Sequence, residues 1–154
     1  MNKIPLLIII GATGTGKTKL SVQLAKKFNG EIVNADLLQM YKGLSIVTAK
    51  PTAKEMDGIK HHLINILPPK QNMTAHEYKK MASKIILDIS KRGKLPILVG
   101  GNMYYIQSLL WDNLIEESIN DELNFSLSKE QNLWEKLNKI DPIRASELHP
   151  NDTR

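Results

Sequence analysis

One segment of the chain is typical of phosphate binding. Residues 11–18 read GATGTGKT, which fits the spacing G-x-x-x-x-G-K-[ST], and they follow an apolar run at residues 4–10. In this pattern the glycines let backbone N–H groups converge on phosphate oxygens, and the start of the following helix adds partial positive charge. Lys17 could reach between two phosphates, and the Thr18 hydroxyl could ligate Mg²⁺. The segment therefore predicts a phosphate and magnesium site, but it does not decide which reaction takes place there.

Asp36 is the second residue that could do chemistry. It ends the segment EIVNAD at residues 31–36, which is predicted to be a strand. Beside a phosphate site, its carboxylate could hold Mg²⁺ through water or accept a proton from a nucleophile. It could also cap a helix formed by the next residues, and capping does not exclude catalysis. For the neighbouring Gln39 and Tyr41, a structural role and a binding role are equally consistent with the sequence.

His61 and His62 invite interpretation as a metal site. Adjacent residues of a strand point to opposite faces of a sheet, and no carboxylate or cysteine lies at ligand spacing from these two. We therefore expect neither histidine to ligate a metal.

Strands and helices are predicted to alternate along the first two-thirds of the chain. Apolar runs predict four strands, at residues 4–10, 31–36, 61–67 and 95–101. A capping box at Thr74 and an apolar stripe predict a long helix that ends at Gly93. This order is typical of an α/β fold, a doubly wound parallel sheet of the P-loop NTPase type. Ligands bind such sheets at the carboxyl ends of strands, where residues 11–18, 34–36 and 100–102 would meet.

Residues 113–154 differ in character from the rest. They carry 5 Lys and Arg against 9 Asp and Glu, whereas residues 1–112 carry 16 against 7. We expect a P-loop α/β core over residues 1–112 and the start of a helical subdomain over residues 113–154. One of its predicted helices ends before Asp141, and a second runs from Pro142 to Leu148. The basic surplus of the core suits a polyanionic partner such as RNA, although lysines that only solubilise helix faces would give the same surplus.

The equipment of an ordinary ATPase or kinase is incomplete in this sequence. Hydrolases with this loop usually place an aspartate at the end of a later strand, but only Asp36 closes a predicted strand here. Small-molecule kinases bring several arginines over the phosphates. This chain contains only three arginines, Arg92, Arg144 and Arg154. A kinase stays an alternative that rests on the phosphate loop alone.

Five segments resemble, in order and spacing, the tRNA dimethylallyltransferases, also called tRNA isopentenyltransferases. They are GATGTGKT, NADLLQMYKGL, TAKPT with GIKHH, LPILVGGNMYYIQSLLW and HPNDTR, and they span nearly the whole chain. The segments around Asp36 and around residues 100–105 are far more specific than the phosphate loop. The letters SLLW at residues 108–111 resemble eukaryotic members more than bacterial ones.

The resemblance implies a reaction and roles for residues. The family transfers a dimethylallyl group from dimethylallyl diphosphate to the exocyclic amine of the adenosine 3′ of the tRNA anticodon, and a helical insertion helps to grip the anticodon stem-loop. Asp36 would be the general base, Lys17 and Thr18 would be the other catalytic residues, and Thr18 would ligate Mg²⁺. The diphosphate would contact Gly11, Ala12, Thr13, Gly14, Thr15, Gly16, Lys17, Thr18 and Asn102. The adenine would contact Asp36, Leu37, Gln39, Met40 and Tyr41.

The chain departs from the family pattern in two ways. Asn102 stands where the family usually has threonine, and it can donate a hydrogen bond to diphosphate with a different reach. The family also continues well beyond residue 154, with a further arginine for the diphosphate, so we expect an N-terminal portion of impaired activity. The alternatives are an adenylate isopentenyltransferase of cytokinin synthesis, a P-loop small-molecule kinase, and an inactive fragment that binds tRNA or diphosphate.

The expected partners are therefore tRNA and dimethylallyl diphosphate. No window approaches the roughly 20 apolar residues of a membrane span, so we expect no membrane partner. We also expect a monomer in the cytoplasm, the mitochondrion or both.

Overall fold

The computed structural model describes residues 4–111 and 133–149, and the first of these segments contains a four-stranded parallel sheet. The strands are β1 (Leu7–Ile10), β2 (Gly30–Asn34), β3 (His61–His62) and β4 (Leu95–Gly100). Their order across the sheet is β1-β4-β2-β3, and each pairing is parallel. The predicted α/β class is confirmed, with strands that are shorter than their apolar runs.

Helices cover both faces of this sheet. They are α1 (Lys17–Lys27), α2 (Leu37–Met40), α3 (Ala53–Met56), α4 (Ala75–Lys91) and α5 (Met103–Leu110). Successive strand residues point to opposite faces. Ile97 accordingly lies in one apolar cluster with residues of α1, and Leu98 lies in a second cluster with residues of α4 and α5. The sheet is therefore doubly wound, as predicted.

The predicted strand at residues 61–67 is wrong beyond His62. Leu63 and Asn65 have φ angles of +60° and +55°, in the left-handed region that strand residues do not adopt. The last two N–H groups of the segment donate to the carbonyl of Met40, so the segment turns back onto α2. Leu63, Ile66 and Leu67 are apolar because they pack in the core, not because the backbone continues to pair with β2.

A buried carboxylate joins several elements at the amino ends of the strands. Glu31 in β2 is 2% exposed. Arg92 donates to both of its oxygens at 2.5 and 2.7 Å, and Lys94 and His62 each donate at 2.8 Å. These hydrogen bonds, led by those from Arg92, hold the pKa of Glu31 well below its usual range although burial opposes the shift. The Glu31 cluster, made of these four residues, ties β2 to β3 and to the turn between α4 and β4.

Two more helices follow in the second described segment, α6 (Leu133–Ile140) and α7 (Pro142–Ser146). Asp141 caps α7 by accepting from the Arg144 N–H at 3.0 Å, and the Trp134 indole donates to the Ala145 carbonyl at 2.8 Å. The helix predicted to end before Asp141 is present, and the next one ends two residues short of the predicted Leu148.

Backbone contacts divide the chain into two compact units, Met1–Glu116 and Glu117–Arg154, whereas the predicted boundary falls after residue 112. The rest of the predicted helical subdomain, with Arg154, lies outside the described residues. Of the helices that the structure describes, none is both long and apolar enough to cross a membrane.

Candidate functional site

The phosphate loop bends at two glycines. Gly14 and Gly16 have φ angles of +82° and +85°, a conformation that glycine adopts without steric cost. The loop follows β1 and leads directly into α1 at Lys17. The strand, loop and helix therefore succeed one another as the sequence pattern predicts.

The start of α1 suits an anion. Gly16 is the N-cap residue and offers no side-chain cap to the first N–H groups of the helix. Those groups and the helix dipole favour negative charge at this position. Lys17 Nζ donates to the Ala12 carbonyl at 2.5 Å, which holds the ammonium over the loop. Because an ammonium carries three N–H groups, this bond leaves donors for phosphate oxygens.

Asp36 lies two residues beyond the end of β2 and caps α2. Its Oδ1 accepts a hydrogen bond from the Leu38 N–H at 3.0 Å. The Asn34 side chain brackets its backbone, donating to the Asp36 carbonyl at 2.8 Å and accepting from the Asp36 N–H at 3.2 Å. The cap engages one carboxylate oxygen, so capping and proton transfer are compatible roles for this residue.

Asn102 lies against the same segment. Its N–H donates to the Ala35 carbonyl at 3.2 Å, and its side-chain oxygen accepts from the Tyr105 N–H at 3.4 Å to cap α5. Gly100 approaches so closely that a Cβ there would lie 2.2 Å from the Ala35 carbonyl oxygen. The carboxyl ends of β2 and β4 thus touch backbone to backbone, which fixes the spacing between Asp36 and Asn102.

Gly100→Ala is expected to lower the free energy of unfolding by about 3 kcal/mol, because the clash is with backbone that no side-chain rotation can relieve. Gly101→Ala is the matched control, since its Cβ would meet the Gly11 carbonyl oxygen at an ordinary 3.4 Å. Urea unfolding of both variants measures the difference. Equal stabilities would contradict the close approach of the two strand ends.

Two cavities open at the carboxyl ends of the strands, and Asp36 lines both. The first, of about 440 Å³, lies along the phosphate loop and the start of α1. The second, of about 520 Å³, lies between the beginning of that loop, α2 and Asn102. The predicted site residues that line at least one cavity are Gly11, Ala12, Thr13, Gly14, Gly16, Lys17, Thr18, Asp36, Leu37, Gln39 and Asn102.

Three predicted site residues line neither cavity. The Thr15 hydroxyl donates back to the Ala12 carbonyl at 2.8 Å. Met40 is fully buried in the core, and Tyr41 packs against that core. A direct contact between Met40 and an adenine has no support in this arrangement, because α2 turns the side chain inward.

The cavity-lining residues that were not among the predicted site residues include Ser21, Asn34 and His61. Asn34 could have been found, because it is a polar residue at the end of a predicted strand just before Asp36. No local pattern marks the other two. His61 Nδ1 lies 2.9 Å from the Ile59 carbonyl, so it carries the proton and donates it, and burial lowers the pKa of this imidazole.

The donors around Thr18 suit a magnesium ion that a ligand's phosphates hold in part. Thr18 and Asp36 line the same cavity, and hydroxyl and carboxylate oxygens are donors that Mg²⁺ accepts. This ion typically keeps several waters and takes one or two protein oxygens beside substrate phosphates. Within residues 4–111 and 133–149, no group of three His, Cys, Asp or Glu could hold a metal without such help.

The fold and the site define a P-loop α/β protein in which an aspartate that follows another strand of the sheet lines the cavity at the phosphate loop. The chain belongs to the IPP transferase family, whose model matches residues 39–154. A tRNA dimethylallyltransferase from Anoxybacillus flavithermus is 44% identical over 152 residues, which are 97% of this chain and 49% of that protein.

Two solved structures are similar over almost the whole chain. The full-length tRNA isopentenylpyrophosphate transferase from Bacillus halodurans is 41% identical with a TM-score of 0.72, over 97% of this chain and 52% of that one. A eukaryotic dimethylallyltransferase acting on tRNA is 37% identical with a TM-score of 0.74, over 96% and 39%.

The chain spans about half the length of the curated relatives that it matches. The expected eukaryotic type is wrong, because relatives at 44% identity come from bacteria such as Anoxybacillus and Staphylococcus. In residues 108–111, which suggested that type, Ser108 is buried and donates to the Tyr105 carbonyl at 2.8 Å, whereas Leu110 and Trp111 are 44% and 51% exposed.

Proposed function

We propose that this chain forms the diphosphate-binding and amine-activating part of a tRNA dimethylallyltransferase. The observation that carries the proposal is the position of Asp36, which lines both the cavity at the phosphate loop and the cavity at Asn102. A carboxylate that lines both cavities can accept a proton from an amine that attacks a diphosphate ester bound between the phosphate loop and Asn102. The names of the bacterial and eukaryotic relatives support this assignment.

In the proposed reaction one C–N bond forms and one C–O bond breaks. The exocyclic nitrogen of adenosine attacks C1 of dimethylallyl diphosphate. The bond from C1 to the ester oxygen of the α-phosphate breaks, and its electron pair goes to the diphosphate. Asp36 accepts a proton from the nitrogen, which would otherwise carry a positive charge. The residue acts as a general base and forms no covalent bond to the substrate.

The phosphate loop stabilises the leaving group. Negative charge grows on the diphosphate as the C–O bond breaks, and preorganised N–H groups at the start of α1 stabilise it without rearranging. Lys17 neutralises part of the same charge, and Asn102 is proposed to donate to the diphosphate from the other side. Mg²⁺ held by Thr18 and phosphate oxygens would supply further charge neutralisation when bound.

The charge distribution supports tRNA rather than a free nucleotide as the acceptor. Residues 1–112 carry 16 Lys and Arg against 7 Asp and Glu, and such a surplus favours a polyanion. An adenosine in the anticodon loop must leave its stack to reach a cavity, at a cost of a few kcal/mol. The bacterial relatives support a cytoplasmic location for this reaction.

The full-length protein should transfer label from radioactive dimethylallyl diphosphate to unmodified tRNA in the presence of Mg²⁺. Label on AMP or ADP instead of tRNA would assign the protein to the adenylate isopentenyltransferases. Transfer of the γ-phosphate from ATP without prenyl transfer would assign it to the small-molecule kinases. Binding of tRNA or diphosphate without any transfer would overturn the proposed activity.

A further inference from the structure

Asn34 is buried beside the proposed general base, and hydrogen bonds engage its whole side chain. It is 3% exposed. Its Nδ2 donates to the Asp36 carbonyl at 2.8 Å and to the Leu63 carbonyl at 3.0 Å, and its Oδ1 accepts from the Asp36 N–H at 3.2 Å. Both amide hydrogens and the oxygen are therefore used. These bonds fix the orientation of the Asn34 amide, and they hold the Asp36 backbone and the Leu63 carbonyl in place relative to it.

The backbone of Asn34 is fixed as well. The buried Tyr78 hydroxyl donates to the Asn34 carbonyl at 3.0 Å. Tyr78 stacks on Tyr105, with ring centroids 4.2 Å apart and an angle of 9° between the planes. The Tyr105 N–H donates to the Asn102 side-chain oxygen. The end of β2 at Asn34 is therefore connected through Tyr78 and Tyr105 to Asn102, which follows β4.

We propose that Asn34 is the positioning residue for Asp36, and this inference rests on the proposed function. Its two bonds to Asp36 hold the backbone of that residue at φ −126° and ψ 115°. In this conformation Oδ1 reaches the Leu38 N–H at 3.0 Å. With one carboxylate oxygen anchored in this way, the direction of the other is set, and Oδ2 is assigned to the adenosine amine.

The bond from Asn34 to Leu63 extends the effect to a second wall of the site. Leu63 begins the turn with positive φ that follows β3, and the next residue, Ile64, lines the cavity at the phosphate loop. Asn34 therefore fixes the general base relative to this wall. Misplacement of a reacting group by about 1 Å can cost about 100-fold in rate.

Asn34→Ala tests the inference, with Tyr78→Phe as its matched control. Both variants lose buried hydrogen bonds at the end of β2, but only the first loses the bonds to Asp36. In full-length protein at a temperature where both are folded, Asn34→Ala is expected to lower kcat about 30-fold and to leave KM for dimethylallyl diphosphate within about 2-fold. Tyr78→Phe should keep kcat within about 2-fold although its thermal midpoint falls, because the pairing of β2 with β4 still holds the Asn34 backbone.

Asn34→Ser is a second variant, which keeps the test decisive if Asn34→Ala does not fold. A serine hydroxyl can form the same kind of turn more weakly, so its kcat should lie between those of the alanine variant and the unsubstituted protein. Equal kcat values for Asn34→Ala and Tyr78→Phe, or a loss confined to KM, would overturn the positioning role alone. No prenyl transfer by the unsubstituted protein would overturn both this role and the proposed function.

Discussion

Asp36→Asn is expected to reduce kcat for prenyl transfer to tRNA by a factor on the order of 10² to 10⁴, the range that a general base contributes. The amide has nearly the shape of the carboxylate but cannot take up a proton at neutral pH. Asparagine is as good an N-cap as aspartate, so the bond to the Leu38 N–H and the start of α2 should persist. The loss should therefore lie in the chemical step rather than in folding.

Two measurements separate this chemical effect from a structural one. Binding of diphosphate without Mg²⁺, followed by calorimetry, should be within about 2-fold of that of the unsubstituted protein, because Lys17 and the α1 N–H groups are untouched. Asp36→Ala should lose the cap as well, and so be less stable by about 1 kcal/mol. A prenylation rate that stays unchanged in Asp36→Asn would rule out the assignment of Asp36 as the general base.

Glu31→Gln should have the largest effect on stability among the polar residues discussed. Breaking a buried ion pair by removing one partner costs about 3–5 kcal/mol. We expect about 3 kcal/mol, the lower end, because the Arg92 and Lys94 side chains are 35% and 36% exposed and can turn toward water. Urea denaturation with the midpoint and slope fitted separately measures the loss.

Asp88→Asn is the matched control for this variant, since Asp88 accepts from the same Arg92 at 3.0 Å but is 63% exposed. An exposed ion pair contributes about 0.2–1 kcal/mol, so the control should be nearly as stable as the unsubstituted protein. Similar losses of unfolding free energy for both variants would mean that the buried ion pairs of Glu31 stabilise the fold no more than an exposed ion pair does.

The same carboxylate gives stability a pH dependence of known sign. Because the pKa of Glu31 is lower in the folded protein than in the unfolded chain, its contribution is complete above the unfolded value of about 4.3 and declines as the pH falls below it. Glu31→Gln removes this titration. Its stability should therefore fall less steeply than that of the unsubstituted protein when unfolding is measured from pH 5 downward.

Much of the candidate site could be predicted because its structure is local. Glycines at the spacing of a phosphate loop determine its bend. The apolar run before Gly11 predicts a strand that leads directly into this loop. Asp36 and Asn102 each follow a strand and precede a helix, so their positions at strand ends follow from their neighbours in sequence. The parallel order of the elements then brings these three ends to one edge of the sheet.

The parts that could not be predicted depend on contacts between distant residues. Glu31 meets Arg92 and Lys94 across 61 and 63 positions, and it meets His62 across 31. No spacing rule connects such positions, which is why a carboxylate partner for His62 was missed. The turn at Leu63 was not predicted for a related reason. Its positive φ is stabilised by a hydrogen bond from the amide of Asn34 and not by a glycine that the sequence would have shown.

The N-terminus of α1 has a consequence for folding as well as for binding. Its first N–H groups receive no side-chain cap from Gly16, whereas α4 closes its own start with the capping box of Thr74 and Glu77. A ligand phosphate that accepts from the α1 groups does the work of a cap, and it does so only in the folded chain. Under the proposed function, diphosphate would therefore stabilise the folded chain, and its concentration would set how far folding is favoured.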